Sequence, residues 1–285
     1  MTAKDKIITP ELQEQLRQRY NPDGSVLRTI QLNLTDILIE FDRVCRKNDI
    51  RYWLDLGTLL GAARHKGFIP WDDDLDICIM KKDHRKLAKA LKKDLQPPFS
   101  FIDANTAKGN PRRWARVLNN NITISRMYGT SPKTGEPMER EENIWLDVFM
   151  MINATVKSSK RIDPFFGRCY RRRYNSLEDG SFKHFIGICL YPFAQLLVQF
   201  MYLWGKVFRR DCFVYDFGSG FYALRRSADI FPLGEIEFEG HKFPAPGRYD
   251  DYLKRIYGDW EKVPDSDKIN NHNILRIVQQ VLGPN

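Results

Sequence analysis

The stretch YWLDLGTLLGAARHKGFIPWDDDLDICIM, residues 52–80, gathers the residue types that could do chemistry together. It opens on Tyr52 and Trp53, passes the pair Gly57 and Thr58 and the basic residues Arg64, His65 and Lys66, and closes on Asp72, Asp73, Asp74 and Asp76. The alternation from Asp74 to Ile79 predicts a strand. Asp74 and Asp76 then share one face, and Leu75, Ile77 and Ile79 share the other. Two carboxylates on one face of a strand are hard oxygen ligands placed to hold a divalent cation. A cation there neutralises the charge that builds on oxygens when a phosphoryl-type group moves. The glycine turn ahead of a short helix offers backbone N–H groups to an anion. Arg64 and Lys66 add positive charge near the same phosphates. Each part alone has an ordinary explanation, since an acidic strand end is often only solvated. Asp72 and Asp73 read as loop acids rather than ligands, and Asp73 has the wrong parity. The ordered combination carries the reading.

The flanking elements must position these residues. Thr9, Pro10 and Glu11 predict a helix start, and that helix ends near Tyr20. Ser25 caps a long helix whose apolar positions, among them Leu27, Ile30, Leu34, Leu38, Phe41 and Cys45, repeat at helical spacing. Asp83 caps a further helix that Pro97 and Pro98 stop. Residues 99–102, 114–117 and 122–124 read as strands, the last two joined by a turn at Asn119, Asn120 and Asn121. Residues 128–143 read as a polar loop of the kind that serves as a lid. Residues 144–149 form a strand carrying Asp147, and residues 273–282 a last helix.

The chain has 285 residues, 42% of them hydrophobic, which is enough for a packed core. With 28% charged residues it is not a disordered chain. A net charge of +9 suits nucleic acid, anionic lipid or an anionic substrate without choosing among them. The five cysteines form no Cys-x-x-Cys pair, so neither a zinc site nor a disulfide framework is expected. They fit a reducing compartment. The first residues lack the apolar segment of a secretory signal.

The run GTLLGAARHKGFIPWDDDLDI, residues 57–77, resembles the core of the LicD family, which includes the fukutin-related proteins. The resemblance extends to Trp145-Leu146-Asp147-Val148-Phe149 and to residues 230–260. It implies a nucleotidyltransferase-type fold and a cytidine-diphosphate-linked donor, commonly CDP-choline, whose phospho-substituent passes to a glycan. It further implies that Gly57 and Thr58 form the phosphate turn and that Asp74 and Asp76 bind metal. Asp147 is then the third acid, as metal ligand or as base. Arg116 stands where the family's basic residue points toward the donor, and Thr123 also matches.

The expectation is therefore an α/β (α+β) fold, with a mixed nucleotidyltransferase-type sheet and packed helices. Residues 1–154 are expected to form the catalytic core, 155–228 a basic and apolar helical insertion, and 229–285 a C-terminal block packed on the core. The expected reaction is magnesium- or manganese-dependent transfer of phosphocholine, or a related phospho-alcohol, from a CDP-linked donor to a glycan hydroxyl, releasing CMP. Donor phosphates would meet Gly57, Thr58, Arg64, Lys66 and Arg116. Metal would meet Asp74, Asp76 and Asp147. The alternatives are a nucleotidyltransferase using a nucleoside triphosphate and a non-catalytic basic protein that binds nucleic acid. The second is disfavoured because acids converge where a polyanion would be repelled and aromatics do not interleave with the basic runs. The expected location is cytoplasmic, peripheral on the inner face of the membrane, with a lipid-linked acceptor. The nearly uncharged run 185–205 contains Pro192, and Gln195 and Gln199 lie four apart on one helical face. It is expected to be a broken helix lying in the interface, its flanking cations on anionic headgroups. The competing reading is a buried helical hairpin.

Overall fold

A computed structural model describes residues 7–103, 113–130, 136–175, 182–208, 211–220, 222–264 and 274–280. The helix starts follow from their caps. Thr9 accepts from the Leu12 N–H at the head of α1 (Pro10–Tyr20), and Ser25 from the Arg28 N–H at the head of α2 (Val26–Lys47). α2 buries the predicted apolar stripe, with Ile37, Leu38, Phe41, Val44 and Cys45 fully enclosed. It packs on the strands that carry the site.

The chain then runs through β1 (Tyr52–Leu54), α3 (Leu56–His65), β2 (Asp76–Met80), α4 (His84–Asp94) and β3 (Phe99–Ile102). Next come β4 (Ala115–Thr130), β5 (Pro137–Asn153), α5 (Val156–Asn175) and α6 (Phe182–Phe208). The rest comprises β6 (Cys212–Tyr215), β7 (Arg225–Arg226), α7 (Ser227–Ile230), β8 (Gly234–Phe238), β9 (His241–Ala245), α8 (Tyr249–Tyr257) and β10 (Ile274–Gln280). Among the described residues these give one mixed eight-stranded sheet, ordered β1-β2-β5-β4-β10, and a small β8-β9 hairpin. β3 joins on β4, and β6 and β7 join on β5. β2 and β5 are parallel, and β4 and β5 antiparallel. The mixed sheet with packed helices is the expected fold class.

Several local expectations are corrected. Residues 119–121 are not a turn: β4 continues through them, with a register shift between Asn119 and Thr123. Residues 128–143 are not an irregular loop. Their described parts extend the β4–β5 ribbon, with Met127 opposite Glu139 and Thr130 opposite Pro137. Residues 274–280 form a strand along β4, not a helix. The isoleucines and valine of this run are strong strand formers, and the side of β4 away from β5 takes them. The expected 155–228 insertion is helical only through α6; β6 and β7 rejoin the main sheet. α6 runs unbroken through Pro192, which corrects the expected break.

Candidate active site

β1 and α3 meet at a sharp turn. Leu56 adopts φ 45°, in the left-handed region, so the chain reverses within one residue. Asp55 stands at the helix N-cap but makes no side-chain cap bond. Its carboxylate turns inward, fully buried, and accepts from Cys78 Sγ at 2.9 Å, Tyr215 Oη at 2.5 Å and Tyr252 Oη at 2.6 Å. Arg225, itself 1% exposed, donates to both tyrosine hydroxyls and lies 3.9 Å from the same carboxylate. This buried network fastens β1, β2, β6, β7 and α8 directly beneath the helix start.

Above it, Gly57 packs against an acid. A Cβ there would lie 2.6 Å from Asp72 Oδ2, so glycine is what lets that carboxylate approach the first turn of α3. The Thr58 hydroxyl accepts from the Asp76 N–H at 2.8 Å and so ties α3 to the head of β2. The strand begins only at Asp76; residues 72–75 lead into it. The parity argument against Asp73 therefore fails. Asp72 and Asp73 are loop acids, as expected, and oxygens of Asp72, Asp73 and Asp74 lie within 4.8 Å of one another.

The sheet register adds the rest. Asp76 pairs across the parallel ladder with Asp147, which pairs across the antiparallel ladder with Arg116. Directly opposed residues point to the same face, so the three side chains form one row. The Asp147 carboxylate accepts from Arg116 Nε and Trp114 Nε1, both at 2.7 Å, and from Trp145 Nε1 at 2.9 Å. Arg116 is buried, with its guanidinium carbon 3.8 Å from the Trp145 ring centre. It forms an interior ion pair, not a surface one.

Electrostatics mark the acids as unusual. Burial, then its acidic neighbours Asp73 and Asp147, raise Asp74 to about 6. Burial first, and the charges of the same group second, also push Asp72 and Asp76 well up. The sign follows: the native state holds these protons more tightly than the unfolded chain. The stability these protons lend is therefore full below the ordinary carboxylate range and is lost as pH rises, for Asp74 through about 6. A divalent cation would relieve that loss. The melting-temperature gap between magnesium-loaded and chelated protein is accordingly expected to widen from pH 5 to pH 8 (about 5 to about 8 brackets the titration), and to shrink in Asp74→Asn. Scanning calorimetry at several pH values, with and without chelator, checks this; a gap independent of pH would count against it.

The carboxylate set fits a hard cation: it is all oxygen, is gathered in one short segment leading into β2, and carries mutual repulsion that Arg126 offsets only in part. Asp72, Asp74 and Asp76 are the residues that would hold one.

The predicted basic residues do not all converge here. Arg64 donates to the backbone carbonyls of Trp260 at 3.0 Å and Lys262 at 2.9 Å, and burial lowers it to about 10. It braces the segment after α8, with Asp72 close enough to interact. Lys66 is an exposed left-handed C-cap at the far end of α3, a helix of ten residues and hence about 15 Å long. His65 is neither solvated nor at the acids. It is buried against Gln13 and accepts from Arg64 Nε at 2.9 Å, and burial beside that cation lowers it to about 3. The sequence reading missed Arg126. Its guanidinium bonds Asp73 at 2.7 Å, lies over the Trp145 ring, and keeps a buried Nε with no hydrogen-bond partner. No spacing in the strand containing it singled it out.

The sequence profile of the LicD/FKTN/FKRP nucleotidyltransferase domain matches residues 49–146, the span that carries the Gly57 turn and all the acids save Asp147. Residues 49–146 form a LicD-family domain. A lipopolysaccharide cholinephosphotransferase LicD of Haemophilus influenzae is 24% identical over 263 residues, covering 87% of this chain and 96% of its own length. Human ribitol 5-phosphate transferase FKRP is 59% identical over 34 residues, 12% of this chain and 7% of its own. An uncharacterised Rickettsia prowazekii protein is 48% identical over 60 residues, 21% of this chain and 23% of its own. The LicD resemblance read from the motif, and the enzyme class it implied, are thereby shown.

Proposed function

We propose that this LicD-type transferase moves a phospho-alcohol, phosphocholine or a relative of it, from a CDP-linked donor to a glycan hydroxyl, releasing CMP. The observation that carries this reading is the grouping of Asp72, Asp73 and Asp74, with Asp72 against Gly57 in the uncapped first turn of α3 and Asp76 tied to that turn through Thr58, within a LicD domain. The names of the relatives support the class: one is a cholinephosphotransferase, the other a ribitol 5-phosphate transferase. When bound, magnesium or manganese would neutralise the donor diphosphate and polarise the phosphorus under attack. The chain's own residues then have separable tasks. Asp72, Asp74 and Asp76 hold that positive charge at the head of β2. The first-turn N–H groups of α3 bind a phosphate oxygen. Arg126, with one nitrogen already on Asp73 and another buried and unused, supplies a further donor to phosphate. Asp147 keeps little acceptor capacity beyond its three hydrogen bonds. It serves as a fixed negative charge bordering the cation, held in place by Arg116. Trp114 and Trp145 shield it from water.

A panel of CDP-choline, CDP-ribitol, CTP, ATP and a UDP-sugar, each with magnesium, tests the donor. A ligand that binds only the native state raises the melting temperature by mass action. CDP-alcohols are expected to stabilise the protein most, and Arg126→Gln to weaken that effect. Stabilisation by CTP with pyrophosphate release would instead mark a nucleotidyltransferase, and stabilisation by the UDP-sugar alone a glycosyl donor.

A further inference from the structure

A cavity of about 920 Å3 opens at the end of β2 and β5 away from the acids, four strand residues or about 13 Å from Asp76. Arg51, Lys81, Lys82, Arg85, Arg113 and Lys206 line it, and no acid is among its described lining residues. Behind the wall a single carboxylate, Asp216, serves two of these cations: Lys81 at 2.7 Å and Arg113 at 3.5 Å. The cavity is thus strongly positive and suited to an anion.

Its other wall is α6, and α6 has three faces. Tyr191, Ala194, Val198 and Gly205 are buried against the domain. A Cβ on Gly205 would lie 1.6 Å from the Asn153 carbonyl oxygen, so the helix rests directly on β5. Gln195, Gln199, Tyr202 and Lys206, spaced along one helical stripe, face the cavity. That placement accounts for the two glutamines in an otherwise apolar helix. The third face carries Phe193, Leu196, Phe200, Leu203, Trp204 and Val207, all exposed; Phe193 and Leu196 are each 68% exposed and Leu203 is 65%. Soluble surfaces rarely present so much contiguous apolar area. Only 22% of the apolar window is buried, so the buried-hairpin reading fails. Length alone would let α6 cross a bilayer, but its packing along β5 holds it against the domain.

We propose that α6 lies in the plane of an anionic membrane, with its apolar face among the acyl chains and a phospholipid headgroup phosphate in the adjoining basic cavity. Charge complementarity favours this occupant over a second copy of the chain, whose equivalent cavity would bring like charges together. Exposed Lys157, Lys160, Arg161 and Arg168 on α5, packed beside α6, add to the attraction. The docking does not depend on the chemistry of the acids.

The test is co-sedimentation of the full chain with vesicles of phosphatidylcholine alone or with phosphatidylglycerol. Binding is expected to the mixed vesicles, to be far weaker on phosphatidylcholine alone, and to fall with salt. Lys82→Glu with Arg85→Glu should weaken binding by roughly tenfold or more. Leu196→Ser, Phe200→Ser and Leu203→Ser together should abolish it. All five residues are exposed, so circular dichroism should show an unchanged fold. Absent binding to phosphatidylglycerol vesicles, or equal binding by the charge-reversed variant, overturns the proposal. So does inorganic phosphate that stabilises the wild type but not that variant while vesicles go unbound, which would mark a free-anion site. A stable dimer that vesicles fail to dissociate also overturns it.

Discussion

Asp76→Asn is expected to lower turnover on the order of a thousandfold, because a held cation supplies several kcal/mol at the transition state and each 1.4 kcal/mol is about tenfold in rate. The same substitution should raise the stability of the chelated protein at neutral pH. Burial and the neighbouring charges of Asp74, Asp147, Asp72 and Asp55 hold the Asp76 carboxyl well above its usual range, so its ionised form is a liability in the fold. An isosteric amide removes that charge while its backbone N–H still meets Thr58. The paired outcome is diagnostic: lost activity with a gain in metal-free melting temperature, and little further gain on adding magnesium. A residue that merely supported the fold would lose both. Calorimetry and a turnover assay on the same preparation decide it.

The largest expected stability effect lies beneath the site. Asp55→Ala strips a fully buried carboxylate from Tyr215, Tyr252, Cys78 and Arg225 at once. Breaking a buried ion pair from one side costs about 3–5 kcal/mol, because the remaining charge stays desolvated. In a chain this size that is a fall of roughly 10 °C in melting temperature. Tyr252→Phe removes one hydrogen bond and leaves the pair, so about 1–3 kcal/mol is expected. Loss of activity in Asp55→Ala should follow the loss of fold: at a temperature where the variant remains native, it should retain measurable turnover. A melting temperature within 2 °C of wild type, about 1 kcal/mol or less by the same scaling, would show that the network contributes little.

Much of this was legible in the residues, unevenly. The caps at Thr9 and Ser25 and the stripe along α2 are local signals, and local geometry obeyed them. Asp74 and Asp76 were found because motif order and acidity coincide. The strand face was drawn two residues too early, so parity set Asp73 apart from Asp74 although their oxygens group in the loop before β2. Residues 274–280 show why short apolar runs mislead: their pattern suits either period, and the free side of β4 decided. Pro192 and the two glutamines suggested a broken helix, yet the proline is exposed and the glutamines face the basic cavity. Asp55, Arg126 and Arg225 carried no signal at all. Each matters through partners distant in the chain, such as Tyr252 for Asp55, 197 residues away.

The most direct test is the products of one reaction: purified protein, CDP-choline, magnesium and a glycan acceptor, with mass analysis of both nucleotide and acceptor. CMP and a phosphocholine-bearing acceptor are expected in equal amounts, and neither when chelator is present or when Asp76 is Asn. Undiminished CMP release from the Asp76→Asn protein in chelator, or pyrophosphate from CTP with CDP-choline untouched, would contradict the proposed transfer.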